Sequence, residues 1–116
     1  MSGYAQDWNE PPGQATFEMA NLRPNTTGLP FVVFISQRGN AQHDVRVKVS
    51  PGPRVQSGNM SVYAVRPFRY EAGPPLSPSD EAHLKRWIDA NQDVLVAFWN
   101  ADIEYTEDAI EQLIKI

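Results

Sequence analysis

Glycine and proline stop abruptly part-way along the chain. All seven glycines and all ten prolines lie at or before Pro78, and residues 79–116 contain neither. Because these residues punctuate turns and interrupt helices, the first two-thirds predict short strands and loops, and the last third predicts helices. Strands followed by helices give an α+β arrangement. At 116 residues there is room for one domain with one modest core. Leu, Ile, Val and Phe number 27, about 23% of the chain, just above the roughly 20% below which chains tend to stay unfolded. The expected division is a flexible tail over residues 1–15 and a single domain over residues 16–116.

Formal charge divides at similar places. Residues 1–22 carry three acids and no base, residues 23–70 carry seven bases against Asp44, and residues 71–116 carry ten acids against three bases. A basic sheet half is therefore joined to an acidic helical half. With no cysteine, disulfides, thiolate chemistry and Cys-ligated zinc are excluded. No apolar run is long enough to span a membrane. The N-terminus has no basic segment leading into an apolar stretch, so the expectation is a cytoplasmic domain without a membrane partner.

Among the strands, residues 31–37 (FVVFISQ) form a β-branched and aromatic run, apolar on both faces. A turn over residues 38–41 (RGNA) follows. Residues 43–49 (HDVRVKV) then alternate strictly, with Val45, Val47 and Val49 on one side and Asp44, Arg46 and Lys48 on the other. The pattern predicts an antiparallel hairpin with one face buried and one wet and basic. Residues 60–66 (MSVYAVR) predict a third strand, resuming over residues 68–70 beyond Pro67, which marks an edge or a bulge. Phe17 and Met19 suggest a short additional strand, and residues 21–30 predict a loop. The helical part opens at Ser77 as N-cap with Pro78 at the first helical position. Leu84, Trp87 and Ile88 make one apolar stripe, and Val94, Leu95, Phe98 and Trp99 make the next. Asn91 is read as the cap of a separate helix, with one kinked helix as the alternative. Thr106 starts the last helix, which buries Ala109, Ile110, Leu113 and Ile114. The predicted architecture is a three- or four-stranded, mainly antiparallel sheet packed on two or three C-terminal helices.

Chemistry-bearing motifs are scarce. The sequence has no HExxH, no glycine-rich phosphate loop and no G-x-S-x-G frame, and no cofactor, metal or catalytic group is assigned. His43 beside Asp44 is the one candidate for proton relay, although adjacent strand residues face opposite sides. The basic strand face is the better candidate. Arg46 and Lys48 project together, with Arg66 and Arg69 on neighbouring strands and Arg54 as an extension. They are suited to a protein partner, or to phosphates with Tyr63, Phe68 or Tyr70 as stacking partners. The alternative is internal pairing of these cations with the chain's own carboxylates. Tyr4 and Trp8 in the tail are further candidate contacts.

Residues 78–100 (PSDEAHLKRWIDANQDVLVAFWN) resemble the end of a small bacterial family of uncharacterised domains, with Leu84, Trp87, Ile88, Asp93, Leu95 and Trp99 in corresponding places. That family carries a hairpin with an N-P-P-H-x-H-V stretch ahead of its helices. Residues 40–45 (NAQHDV) echo it, but both prolines are missing and Val45 stands where the second histidine would be, so no role for a histidine pair is carried over. Members are often encoded in two-gene loci like those of toxin–antitoxin pairs, which implies a protein partner. The expected function is thus a small non-catalytic interaction module that binds another protein or itself through Arg46, Lys48, Arg66, Arg69, Tyr4 and Trp8. The alternative is an RNA-directed, toxin-like or nucleic-acid-binding protein using the same basic face.

Overall fold

The computed structural model describes residues 19–54 and 58–116. Tyr4, Trp8 and Phe17 lie outside them, as does the tail expected over residues 1–15. Five strands run in chain order across one antiparallel sheet: β1 (Ala20–Leu22), β2 (Val32–Ile35), β3 (Arg46–Ser50), β4 (Ser61–Val65) and β5 (Phe68–Ala72). A one-turn helix, α1 (Pro24–Thr27), joins β1 to β2, and α2 (Pro78–Trp99) and α3 (Thr106–Gln112) follow the sheet. The architecture is α+β as expected, with five strands where three or four were predicted.

The two additional strands come from the ends of the predicted sheet. At one edge β1 pairs with β2, setting Ala20 opposite Ile35 and Leu22 opposite Val33; part of the stretch expected to be a loop is therefore strand and helix. At the other edge the third strand reverses instead of resuming. Pro67 follows a cis peptide bond in the turn, and β5 folds back so that Val65 pairs with Phe68.

Alternation along β2, β3 and β4 sends Val33, Ile35, Val45, Val47, Val49, Tyr63 and Val65 into one core with Leu84, Trp87, Ile88, Leu95, Phe98 and Trp99 of α2. Burying each large side chain contributes roughly 1.5–3 kcal/mol. Helix α2 thus roofs the valine side of β3 with Trp87 and Trp99. Ser77 caps α2 by accepting a hydrogen bond from the Asp80 amide at 3.1 Å.

Asn91 caps nothing. It is buried in the middle of a continuous α2, where its side chain donates to the Trp87 and Ile114 carbonyls at 3.0 Å each and accepts from the Ile114 amide at 2.6 Å. With its polar atoms satisfied, Asn91 stays in the buried stripe and the helix has no reason to break. Ile114 was expected inside but is 56% exposed, because α3 ends before it and the chain becomes extended at Leu113.

Candidate functional site

On the face away from the helices, register aligns Phe34 with Lys48 and Lys48 with Val62, while Ala64 stands opposite both Arg46 and Arg69. Three of the four cations predicted for this face are held by the chain's own carboxylates. Glu71 bridges Arg46 at 3.3 Å and Arg69 at 2.7 Å. Its position follows from a register shift in the β4–β5 ladder: Tyr63 pairs with Tyr70 but Val62 pairs with Ala72, leaving Glu71 as the extra residue. Such a bulge re-aims a side chain, here onto the two arginines. Hydrogen bonding from Arg69, aided by the charge of Arg69 and then of Arg46 and opposed by desolvation, holds the Glu71 carboxyl below its ordinary range. Arg66 sits apart, at the turn into β5, and grips Asp44 through two hydrogen bonds of 2.8 and 3.1 Å. This lowers the Asp44 pKa, chiefly through the hydrogen bond itself.

Lys48 differs from the other three. It is exposed, and among the described residues no carboxylate comes within ion-pair distance of it. It lines a cleft of about 550 Å³ that runs to the end of the sheet where β2 finishes and β3 begins. Arg38, His43 and Arg46 are the other basic side chains of the lining; Met19, Ala41, Val62 and Trp99 supply apolar walls, and among the described residues no carboxylate takes part. Arg46 and Lys48 are thus brought together with a histidine, whereas Arg66 and Arg69 stand outside the cleft.

The connection over residues 36–45 builds the cleft's rim. Its turn forms as predicted, with the Ala41 amide donating to the Arg38 carbonyl at 2.9 Å. The expected strand start at His43 is delayed to Arg46, because Asp44 is turned outward to Arg66. The Arg38 amide bonds the Trp99 carbonyl at 2.9 Å, and the Gln37 side chain donates to the Ile103 and Glu104 carbonyls at 3.3 and 2.9 Å. These bonds fasten the connection to the end of α2 and the segment after it. The His43 ring lies 5.4 Å from that of Trp99, inclined at 30°. Its Nδ1 is 2.7 Å from the Asp44 carbonyl oxygen. No local sequence signal pairs His43 with Trp99, since only tertiary packing joins them.

The aromatic residues proposed for stacking on phosphate-linked bases lie on the wrong side. Tyr63 is fully buried in the core and stacks on Phe68 at 5.4 Å, and Tyr70 meets Tyr63 edge-on at 5.7 Å. The Tyr63 hydroxyl donates to Glu81 and accepts from the Leu76 amide, both at 3.0 Å. Its pKa is raised, mainly by burial. Arg54 contributes only its carbonyl oxygen, which accepts from the Ser50 hydroxyl at 3.4 Å. Among the described residues, no cluster of three His, Asp or Glu side chains is placed to hold a metal ion, and no helix is long and apolar enough to cross a membrane.

Fold and cleft together define an α+β protein with a cationic cleft on the open side of its sheet. No protein-family model, curated protein or solved structure matches the chain.

Proposed function

We propose that the chain is a small non-catalytic interaction module that meets an acidic segment of another protein on the open face of its sheet. One observation carries this reading: among the described residues four basic side chains and no carboxylate line the cleft, and one of the four is an exposed lysine with no ion-pair partner there. A concave, partly apolar site of this size suits a few side chains of a partner, and complementary charge would steer their approach.

The nucleic-acid alternative needs a row of unpaired cations, and aromatic rings beside them for stacking. Arg46 and Arg69 instead share Glu71, Arg66 is paired with Asp44, and Tyr63 faces the core. The likeness of residues 78–100 to a family encoded in two-gene loci is a separate, sequence-borne reason to expect a protein partner.

The two readings separate in one experiment. Amide spectra of the full chain are followed while an acidic peptide pool, and separately a single-stranded oligonucleotide, is added at low and raised salt. The peptides should shift signals of β3 and residues 36–45, and Lys48→Glu should suppress the change. Shifts produced by the oligonucleotide alone, fading steeply with salt, would transfer the assignment to nucleic acid.

A further inference from the structure

We propose that the cleft is an anchoring pocket for a carboxylate side chain flanked by an aromatic or aliphatic residue, held by Lys48 and Arg46 and gripped harder when His43 is protonated. The inference rests on the interaction-module reading and names the chemistry of the partner segment.

Charge complementarity identifies the anionic part of the occupant, since among the described residues the lining holds Arg38, His43, Arg46 and Lys48 without an acid. Glu71 reaches only Nη2 of Arg46, so other donors of that guanidinium remain to meet a ligand. The walls identify the remainder. Trp99, Met19 and Val62 present apolar surface, and a bare inorganic anion would fill little of about 550 Å³. An acidic residue with a large apolar neighbour satisfies both parts of the lining.

The proton dependence follows from the geometry of His43. A backbone carbonyl can only accept, so the 2.7 Å contact with the Asp44 oxygen places the hydrogen on Nδ1. In the neutral ring Nε2 is therefore a lone pair, and the described residues give it no partner. A carboxylate gains nothing from a lone pair, but it gains a donor and a charge once Nε2 is protonated. The charged groups around the ring are Arg38, Arg46 and Lys48 in the lining, with Asp44 beside it and Glu71 on β5. Arg66 is occupied by Asp44, and α2 contributes only the Trp99 ring. A bound carboxylate shifts the ring toward the imidazolium.

The test titrates the full chain with a short labelled peptide carrying Glu beside Trp, and with its Gln twin. At pH about 5.5 the peptide carboxylate is still ionised, whereas an ordinary histidine is largely protonated. If binding raises the midpoint of an ordinary histidine by about one unit, acidification from pH about 7.5 to about 5.5 tightens the Glu peptide about fivefold. His43→Gln should abolish that gain, so that the affinity no longer responds to acidification. Lys48→Met should weaken binding at both pH values, and the Gln twin should bind weakly throughout. Nitrogen chemical shifts of the native protein give an independent readout: His43 should carry its hydrogen on Nδ1, and peptide should raise its titration midpoint.

Equal binding of the two peptides overturns the inference and leaves the module reading standing, as does a pH response that survives in His43→Gln. Self-association on acidification would assign the cleft to a second copy and likewise overturn it. Binding of an oligonucleotide with no response to either peptide would overturn the module reading itself.

Discussion

Asn91 shows how much one polar side chain can organise when it is buried. It is 1% exposed, and its amide serves three backbone groups in two parts of the chain. Both polar groups of Ile114, the amide and the carbonyl, end on it. An Asn between two apolar stripes fits a helix cap as well as an interior clamp, and nothing in the neighbouring residues distinguishes the two. The deciding partner, Ile114, is distant in sequence. Asn91→Leu keeps an approximate volume but leaves the Ile114 groups unpaired, at about 1–3 kcal/mol if they stay buried. We expect a lowered denaturation midpoint and rapid hydrogen exchange at Ile114, with α2 itself still protected. Unchanged protection at Ile114 would show that α3 alone fixes that segment.

At the level of elements, the strands and the start of α2 were legible because their signals are local. Alternation gave β3 its buried valines, the apolar run gave β2, and Ser77-Pro78 gave the helix start. What escaped depended on partners far along the chain. Pro67 reads as an interruption of one strand, and only pairing shows that it reverses two. The bulge that brings Glu71 onto Arg46 and Arg69 is likewise a property of the ladder. The site divided along the same line. Arg46 and Lys48 could be read as neighbours from their spacing, while His43 and Trp99 could not be joined without the fold. Helix α1 is another case, since residues 21–30 carry three chain-breaking residues and read as loop. Pro24 begins its single turn, and Gly28 closes it at φ 83° with its amide bonded to the Pro24 carbonyl. A side chain there would overlap the backbone of Ile116, whose amide bonds the Thr27 carbonyl at 2.9 Å. Gly28→Ala combines a left-handed backbone with this collision. It should cost more than the roughly 1 kcal/mol of the backbone alone, seen as a lower melting temperature and loss of the Ile116 amide protection. A neutral result would mean that the last residues swing aside freely.

Across the whole molecule, folding closes part of the separation of charge along the sequence. The basic stretch of residues 23–70 meets Asp44 from within itself and Glu71 from just beyond, so the open face offers a local cationic cleft rather than a long positive track. If the cleft takes a single acidic side chain as proposed, this pairing would set it against a polyanion, because each occupied arginine removes one contact that a phosphate chain would need. Glu71 is the pivotal residue, as it engages two arginines at once. Its depressed pKa means that its pairing is intact above the ordinary carboxylate range and is lost only as pH falls through and below that range. Near neutrality, then, only substitution releases the two arginines. Glu71→Gln should leave the fold intact, since the pairs are at the surface, while conferring salt-sensitive binding of single-stranded oligonucleotide. The slope of log affinity against log salt should steepen by about one unit relative to the native chain. If Glu71→Gln binds oligonucleotide no better than the native chain, internal pairing is not what keeps a polyanion away. The selectivity would then have to come from the shape of the cleft between His43 and Lys48.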